Sequence, residues 1–103
     1  MMNIIYNVTI KVDGYIAEKW LEWLLDEHIP EVLSTKCFFD FKVVQLLETD
    51  DSEGPTYAVQ YYAESKADYN RYIEIHAEGM RKKSFDKWGD RFIAFRSVML
   101  VVK

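Results

Sequence analysis

Residues 20–34, Trp20 to Ser34, read WLEWLLDEHIPEVLS. On a helical wheel stepped by about 100° per residue, Ile16, Ala17, Trp20, Leu21, Leu24 and His28 fall on one broad arc. Trp23 and Leu25 mark its edges, and Glu18, Lys19, Glu22 and Asp26 take the opposite side. A helix with one wide apolar face needs something wide and flat to pack on, which means a sheet. Pro30 lacks an N–H and restricts Ile29, so the regular ladder is expected to end there. Glu31-Val32-Leu33 then makes one further turn, with Pro30 at its first position.

Two polar residues, Glu27 and His28, fall within or near the apolar arc. In a functional reading, Glu27, His28 and Glu31 form the polar corner of a pocket, with His28 as acid, base or ligand. The plainer reading is a helix-end histidine favoured by the C-terminal dipole and paired with a carboxylate. Structural ion-pair networks gather the same residue types, so the plainer reading is preferred.

Outward from this helix, the chain alternates. In Asn3–Val12, Ile4, Tyr6, Val8, Ile10 and Val12 share one face, and Asn3, Ile5, Asn7, Thr9 and Lys11 the other: a half-buried strand. Asp13-Gly14 turns the chain into the helix. Phe38–Glu48 reads as a second strand, with Phe39, Phe41, Val43, Gln45 and Leu47 opposite Phe38, Asp40, Lys42, Val44 and Leu46. Cys37 opens it as a small buried filler. The acidic stretch 49–55, TDDSEGP, is a solvated hairpin loop without the spaced ligands of a calcium site. Thr56–Glu64 is the third strand, with Tyr57, Val59, Tyr61 and Ala63 on one face.

Ser65 caps a second helix, with Asp68 three residues on. Its apolar face is Tyr69, Tyr72, Ile73, His76, Ala77 and Met80. Arg81, Lys82, Lys83 and Lys87 make a basic, solvated end that suits the helix dipole, and Gly89 stops it. Arg91–Val102 is the last strand. It is apolar on both faces and is therefore expected to be covered on both.

The 103 residues fit one domain, 1–103. With 50% hydrophobic and 16% aromatic residues the chain is foldable without staples. A net charge of −4 argues against a nucleic-acid interface and against an anionic membrane surface. The start, MMNIIYNVTIKV, lacks the pattern of a signal peptide, and no apolar run has the length of a membrane span. The single cysteine, Cys37, rules out an internal disulfide and a cysteine-based zinc site. A reducing, cytoplasmic location is the simplest fit.

The order βαββαβ is the ferredoxin-like arrangement, an α+β fold with a four-stranded antiparallel sheet and two helices on one face. Its second sheet face would expose Ile93, Phe95 and Met99. A second copy stacked sheet to sheet would cover them, giving a two-fold homodimer. The segments IIYNVTIKVD, WLEWLLDEHIPEVL, TYAVQYYAES and FDKWGDRFIAFRSVM resemble a small bacterial family of unknown function, with EHIPEV and FDKWGDRF the most specific parts. That family is similar to the dimeric α/β-barrel superfamily, whose members include small monooxygenases, haem-degrading enzymes, isomerases and stress-response proteins. The resemblance implies the fold and a dimer, and no particular reaction.

Two function classes follow. In the first, a pocket between sheet and helices is lined by His28 and His76 on the inward helix faces, with Tyr6, Tyr69 and Tyr72 beside them and Glu27 and Glu31 at its corner. A neutral histidine there could serve as general base in a small monooxygenase- or isomerase-like enzyme. No cofactor is predicted. The haem-degrading members resemble the chain in a first-strand Asn and a last-helix His, here Asn7 and His76. Two departures weaken that match: Tyr72 stands where their pocket Trp is expected, and the parity of Asn7 turns it towards the dimer partner. His28, His76 and Glu31 would ligate a metal only if the helix ends met. In the second class, the protein is a dimeric module without turnover, binding a small molecule or another protein. The absence of a nucleophile motif or a phosphate-binding glycine loop favours this class.

Overall fold

Strict alternation in the first strand decides which way the sheet faces. In the computed structural model, which describes residues 3–103, Ile4, Tyr6, Val8, Ile10 and Val12 are all buried on the side that carries the helices. The chain runs through β1 (Ile4–Val12), α1 (Ala17–Trp23), a π turn (Leu24–His28), α2 (Ile29–Ser34), β2 (Asp40–Gln45) and β3 (Thr56–Ala63). It continues through α3 (Lys66–Arg71), a second π turn (Tyr72–His76), α4 (Ala77–Trp88) and β4 (Phe92–Leu100). The strands form one antiparallel sheet in the order β2-β3-β1-β4, the ferredoxin-like topology expected from βαββαβ. The core joins the inner faces of β1 and β3 to Trp20, Leu24, Ile29 and Val32 from one helical rod and to Tyr72, Ala77 and Met80 from the other.

Both rods contain a π turn, and the buried residues show what it does. In the rod 17–34 the buried line is Trp20, Leu24, Ile29, Val32. The step from Leu24 to Ile29 is five residues, closed by the Ile29 N–H donating to the Leu24 carbonyl. A regular helix would have put His28 next on that line. The π turn gives the core position to Ile29 and moves His28 to its edge. The rod 66–88 repeats the pattern: Tyr72, Ala77 and Met80 are buried, and the Ala77 N–H donates to the Tyr72 carbonyl. His76 is displaced in the same way. Pro30 does not end the first rod. It lies in the first turn of α2, where a missing N–H costs little, and the helix continues to Ser34.

Three local expectations meet a finer outcome. Ser65 Oγ accepts the Asp68 N–H at 3.2 Å, as the capping pattern requires. The second strand is shorter than 38–48. Lys36 adopts φ 65°, and Phe38 then turns into the core while Phe39 bonds the Tyr62 carbonyl through its N–H. Phe38 thereby shares a side with Phe41, against simple alternation. The last strand is an edge strand, so within one chain it is not covered on both faces: Ile93, Phe95 and Met99 are exposed on the open side. Cys37 is buried and unpaired. No helix among the described residues is long and apolar enough to cross a membrane.

Candidate functional site

The inner sheet face and the two rods do not close completely on each other. Between them lies a cavity of about 260 Å³. Its apolar wall includes Trp20, Trp23, Leu24, Val59, Phe85 and Phe92. The polar side chains among its lining residues include Tyr6, Tyr61, Tyr72, Ser84, His28, Arg81 and Arg96.

His28 reaches the cavity because the π turn leaves it at the edge of the buried line. Its ring stacks on Trp23, with centroids 4.7 Å apart, and Trp23 meets the edge of Trp88 on the outer side. His28 Nδ1 is buried without a hydrogen-bond partner. Desolvation pushes the imidazole pKa down to about 4, against an upward pull from Glu31 and with a smaller downward push from Lys83. His28 is therefore neutral at pH 7, with one ring nitrogen to donate and one to accept.

The tyrosines form a packed set around Tyr6, whose ring centroid lies 5.6 Å from Tyr69 and 5.7 Å from Tyr72. Burial pushes the Tyr72 phenol well above its ordinary range. Tyr6 adds to this, and Arg81 and Arg96 oppose it. Tyr61 is raised for the same reason, burial first. These phenols are protonated hydrogen-bond donors at neutral pH.

Of the seven residues singled out in the sequence, Tyr6, His28 and Tyr72 line the cavity. Tyr69 packs on Tyr6 but stands outside the lining. Glu27 is exposed in a separate outer groove beside Trp88 and Lys87. Glu31 forms an ion pair with Lys83, bridging the two rods at the surface. His76 stacks on Tyr72 with centroids 6.2 Å apart and does not reach the cavity. The two histidines thus do not converge on one pocket, and Glu27 and Glu31 do not frame its corner. Among the described residues no group of three metal-ligating side chains comes together, so His28, His76 and Glu31 do not form a ligand set.

Asn7 lies on the open sheet face, away from the helices. Its Nδ2 donates to Thr9 Oγ1 at 3.0 Å and to Ser97 Oγ at 3.3 Å, and its Oδ1 is buried without a partner. The parity read from the sequence holds without a bulge, and the haem-type pairing of Asn7 with His76 is lost across the sheet. Asn7 also belongs to a polar row, Lys42, Gln60, Asn7 and Ser97, in register across all four strands.

Arg81, Arg96 and Ser84 were not recognised as site residues from sequence. Arg96 carried a signal: it is the one charged residue on the inner face of β4, between Ala94 and Val98. Arg81 was hidden in the basic end of its helix. A wider depression of about 710 Å³ lies at the turn end of the sheet. It is walled by solvated turns such as Asp13, Glu53 and Asp90, and none of the buried unpaired polar atoms lies in it.

Solved structures share this fold at low identity. A dimeric ferredoxin-like protein from an uncultured marine organism superposes with a TM-score of 0.70 at 13% identity, covering 100% of this chain and 98% of its own. SnoaB, a cofactor-independent oxygenase from Streptomyces nogalater, gives 0.70 at 9% identity over 98% of this chain and 94% of its own. An EthD-like protein from Ralstonia eutropha gives 0.69 at 14% identity, covering 98% and 93%. No curated protein matches the sequence. Residues 3–102 match the model of a family described as a domain of unknown function, DUF4286, and the chain belongs to that family.

Proposed function

We propose that the protein is a homodimeric small-molecule-binding module whose ligand occupies the cavity between the sheet and the helices. The observation that carries this reading is the cavity itself: apolar walls with a few polar side chains among them, the neutral His28 included. Ligand pockets have this composition.

The dimer rests on the open sheet face. Phe95 is 70% exposed and Ile93 60%, a density of exposed apolar side chains that favours burial against another surface. A fold neighbour is itself described as dimeric. The cavity and the open face lie on opposite sides of the sheet, so both roles fit one molecule. The acidic balance gives no basis for nucleic-acid or membrane partners. A free, buried Cys37 suits the cytoplasm.

Native mass spectrometry of the protein as purified tests both parts. A dimer carrying a stoichiometric extra mass is the expected result. Phe95→Glu, at an exposed position, should leave the circular dichroism unchanged and shift the mass to the monomer. A wild-type monomer overturns the dimer. A cavity that takes up no small molecule in a fragment screen overturns the ligand reading.

A second reading, a small cofactor-independent monooxygenase or isomerase, draws on the same imidazole. His28 is neutral at pH 7 and lines the cavity, as a general base must. Recovery of the bound molecule unchanged after prolonged aerobic incubation counts against it.

A further inference from the structure

We infer that the cavity takes a planar aromatic carboxylate, its rings between the apolar walls and its charge held by Arg81 and Arg96. This rests on the reading of the cavity as a ligand site and names the class of ligand.

The charge balance of the lining comes first. Among the described residues, two arginines line the cavity and no Asp or Glu does. Among the described residues, neither Arg81 nor Arg96 has a carboxylate within salt-bridge distance, although Arg71, Lys82 and Lys83 each have one. The two cations come from different elements, Arg81 from α4 and Arg96 from β4. The sheet presents Arg96 on its inner face, opposite Val8 of β1.

Geometry and depth come next. Both arginines are exposed as whole residues, so they stand where the cavity opens to solvent. Trp20, Leu24 and Val59 are almost completely buried and form its floor. A ligand that fits this gradient is charged at one end and apolar at the other. The guanidinium fork is built for a carboxylate, which it grips through two parallel N–H···O bonds, and its flat face also stacks on aromatic rings. Arg81 and Arg96 line the same cavity, one from the helix layer and one from the sheet.

Size and the remaining polar group narrow the class. At about 260 Å³ the cavity exceeds the roughly 150 Å³ that holds a benzene molecule in an engineered apolar site, which leaves room for one or two fused rings with a substituent. The neutral His28 imidazole also lines the cavity and can pair with a hydroxyl or carbonyl on the ring.

The test uses the full chain with 2-naphthoate and its neutral analogue 2-naphthamide, titrated by calorimetry at low salt. Naphthoate is expected to bind about tenfold or more tightly than naphthamide, the scale of one charge-assisted contact. Arg81→Gln and Arg96→Gln should each lower naphthoate affinity by about tenfold and leave naphthamide unchanged. Arg96→Lys, which keeps the charge and loses the fork, should fall between. Circular dichroism confirms that the variants fold. Equal binding of the two probes overturns the anion inference and leaves the cavity as a ligand site. A naphthoate preference that survives both glutamine variants overturns the role of the arginines. Failure of both probes to bind removes the cavity reading together with the inference.

Discussion

Lowering the pH should weaken this fold through His28. The imidazole titrates near 6.5 in an unfolded chain and at about 4 in the folded protein, because burial disfavours its charged form. Between those values the unfolded state holds the extra proton and the folded state does not. The stabilisation from keeping His28 neutral is complete above pH 6.5, falls as the pH drops through 6.5 towards 4, and is lost below that. In full it amounts to about 3 kcal/mol, of which about 2 kcal/mol disappears between pH 7 and pH 5. Carboxylates also titrate in this window, so the wild type alone does not isolate the histidine. His28→Phe does: it keeps an aromatic ring on Trp23 and cannot ionise. Urea unfolding of both proteins at pH 7, 6 and 5, at one fixed protein concentration, gives the comparison. The wild type should lose about 2 kcal/mol more than the variant on going from pH 7 to pH 5. Equal losses would refute the buried neutral imidazole and, with it, the use of His28 as a base or ligand contact in the cavity.

Two further outcomes follow from packing and backbone. Trp20 is 2% exposed and stacks on Tyr57 with ring centroids 5.7 Å apart. Trp20→Ala should cost about 3–5 kcal/mol by urea denaturation, and a cost below about 1 kcal/mol would mean that the helix does not dock there. Gly54 and Gly79 should respond oppositely to alanine. A Cβ on Gly54 would lie 1.8 Å from the Val12 carbonyl oxygen at φ 148°, so Gly54→Ala should destabilise by about 3 kcal/mol. A Cβ on Gly79 meets nothing within 4 Å inside α4, so Gly79→Ala should raise stability by about 0.5–1 kcal/mol. Thermal or urea melts that rank the two the other way would contradict the loop contact.

How much of this was legible follows from which residues obey one period. β1 and β3 alternate without a break, so their inner faces and even the outward direction of Asn7 could be read directly. β2 could not be started correctly, because Phe38 and Phe39 are both apolar and alternation does not choose between them. A left-handed Lys36 decides it. β4 is apolar on both faces, which reads as a central strand, yet it stands at the sheet edge. Its outer apolar residues mark a surface rather than a core, and a strand's own sequence does not distinguish the two.

The site was harder to read because the helical wheel assumes a constant turn. At about 100° per residue, His28 follows Leu24 and His76 follows Tyr72, and two inward histidines make a plausible catalytic pair. In each rod the π turn inserts one residue and the buried line steps by five. Pro30 gives a local cause for the first interruption. In the rod 66–88 there is no proline to announce the second. The displacement separates the histidines: His28 stays at the cavity, stacked on Trp23, and His76 packs on Tyr72 outside the lining. With that pair dissolved, the charged groups left facing the cavity are arginines. Arg96 was open to view, since it is the one charged residue on a strand face of Phe92, Ala94, Val98 and Leu100. A charge that breaks an apolar strand face is the better guide to this site than a histidine on a helix, because alternation in a strand survives local irregularity within the helices, and the wheel does not.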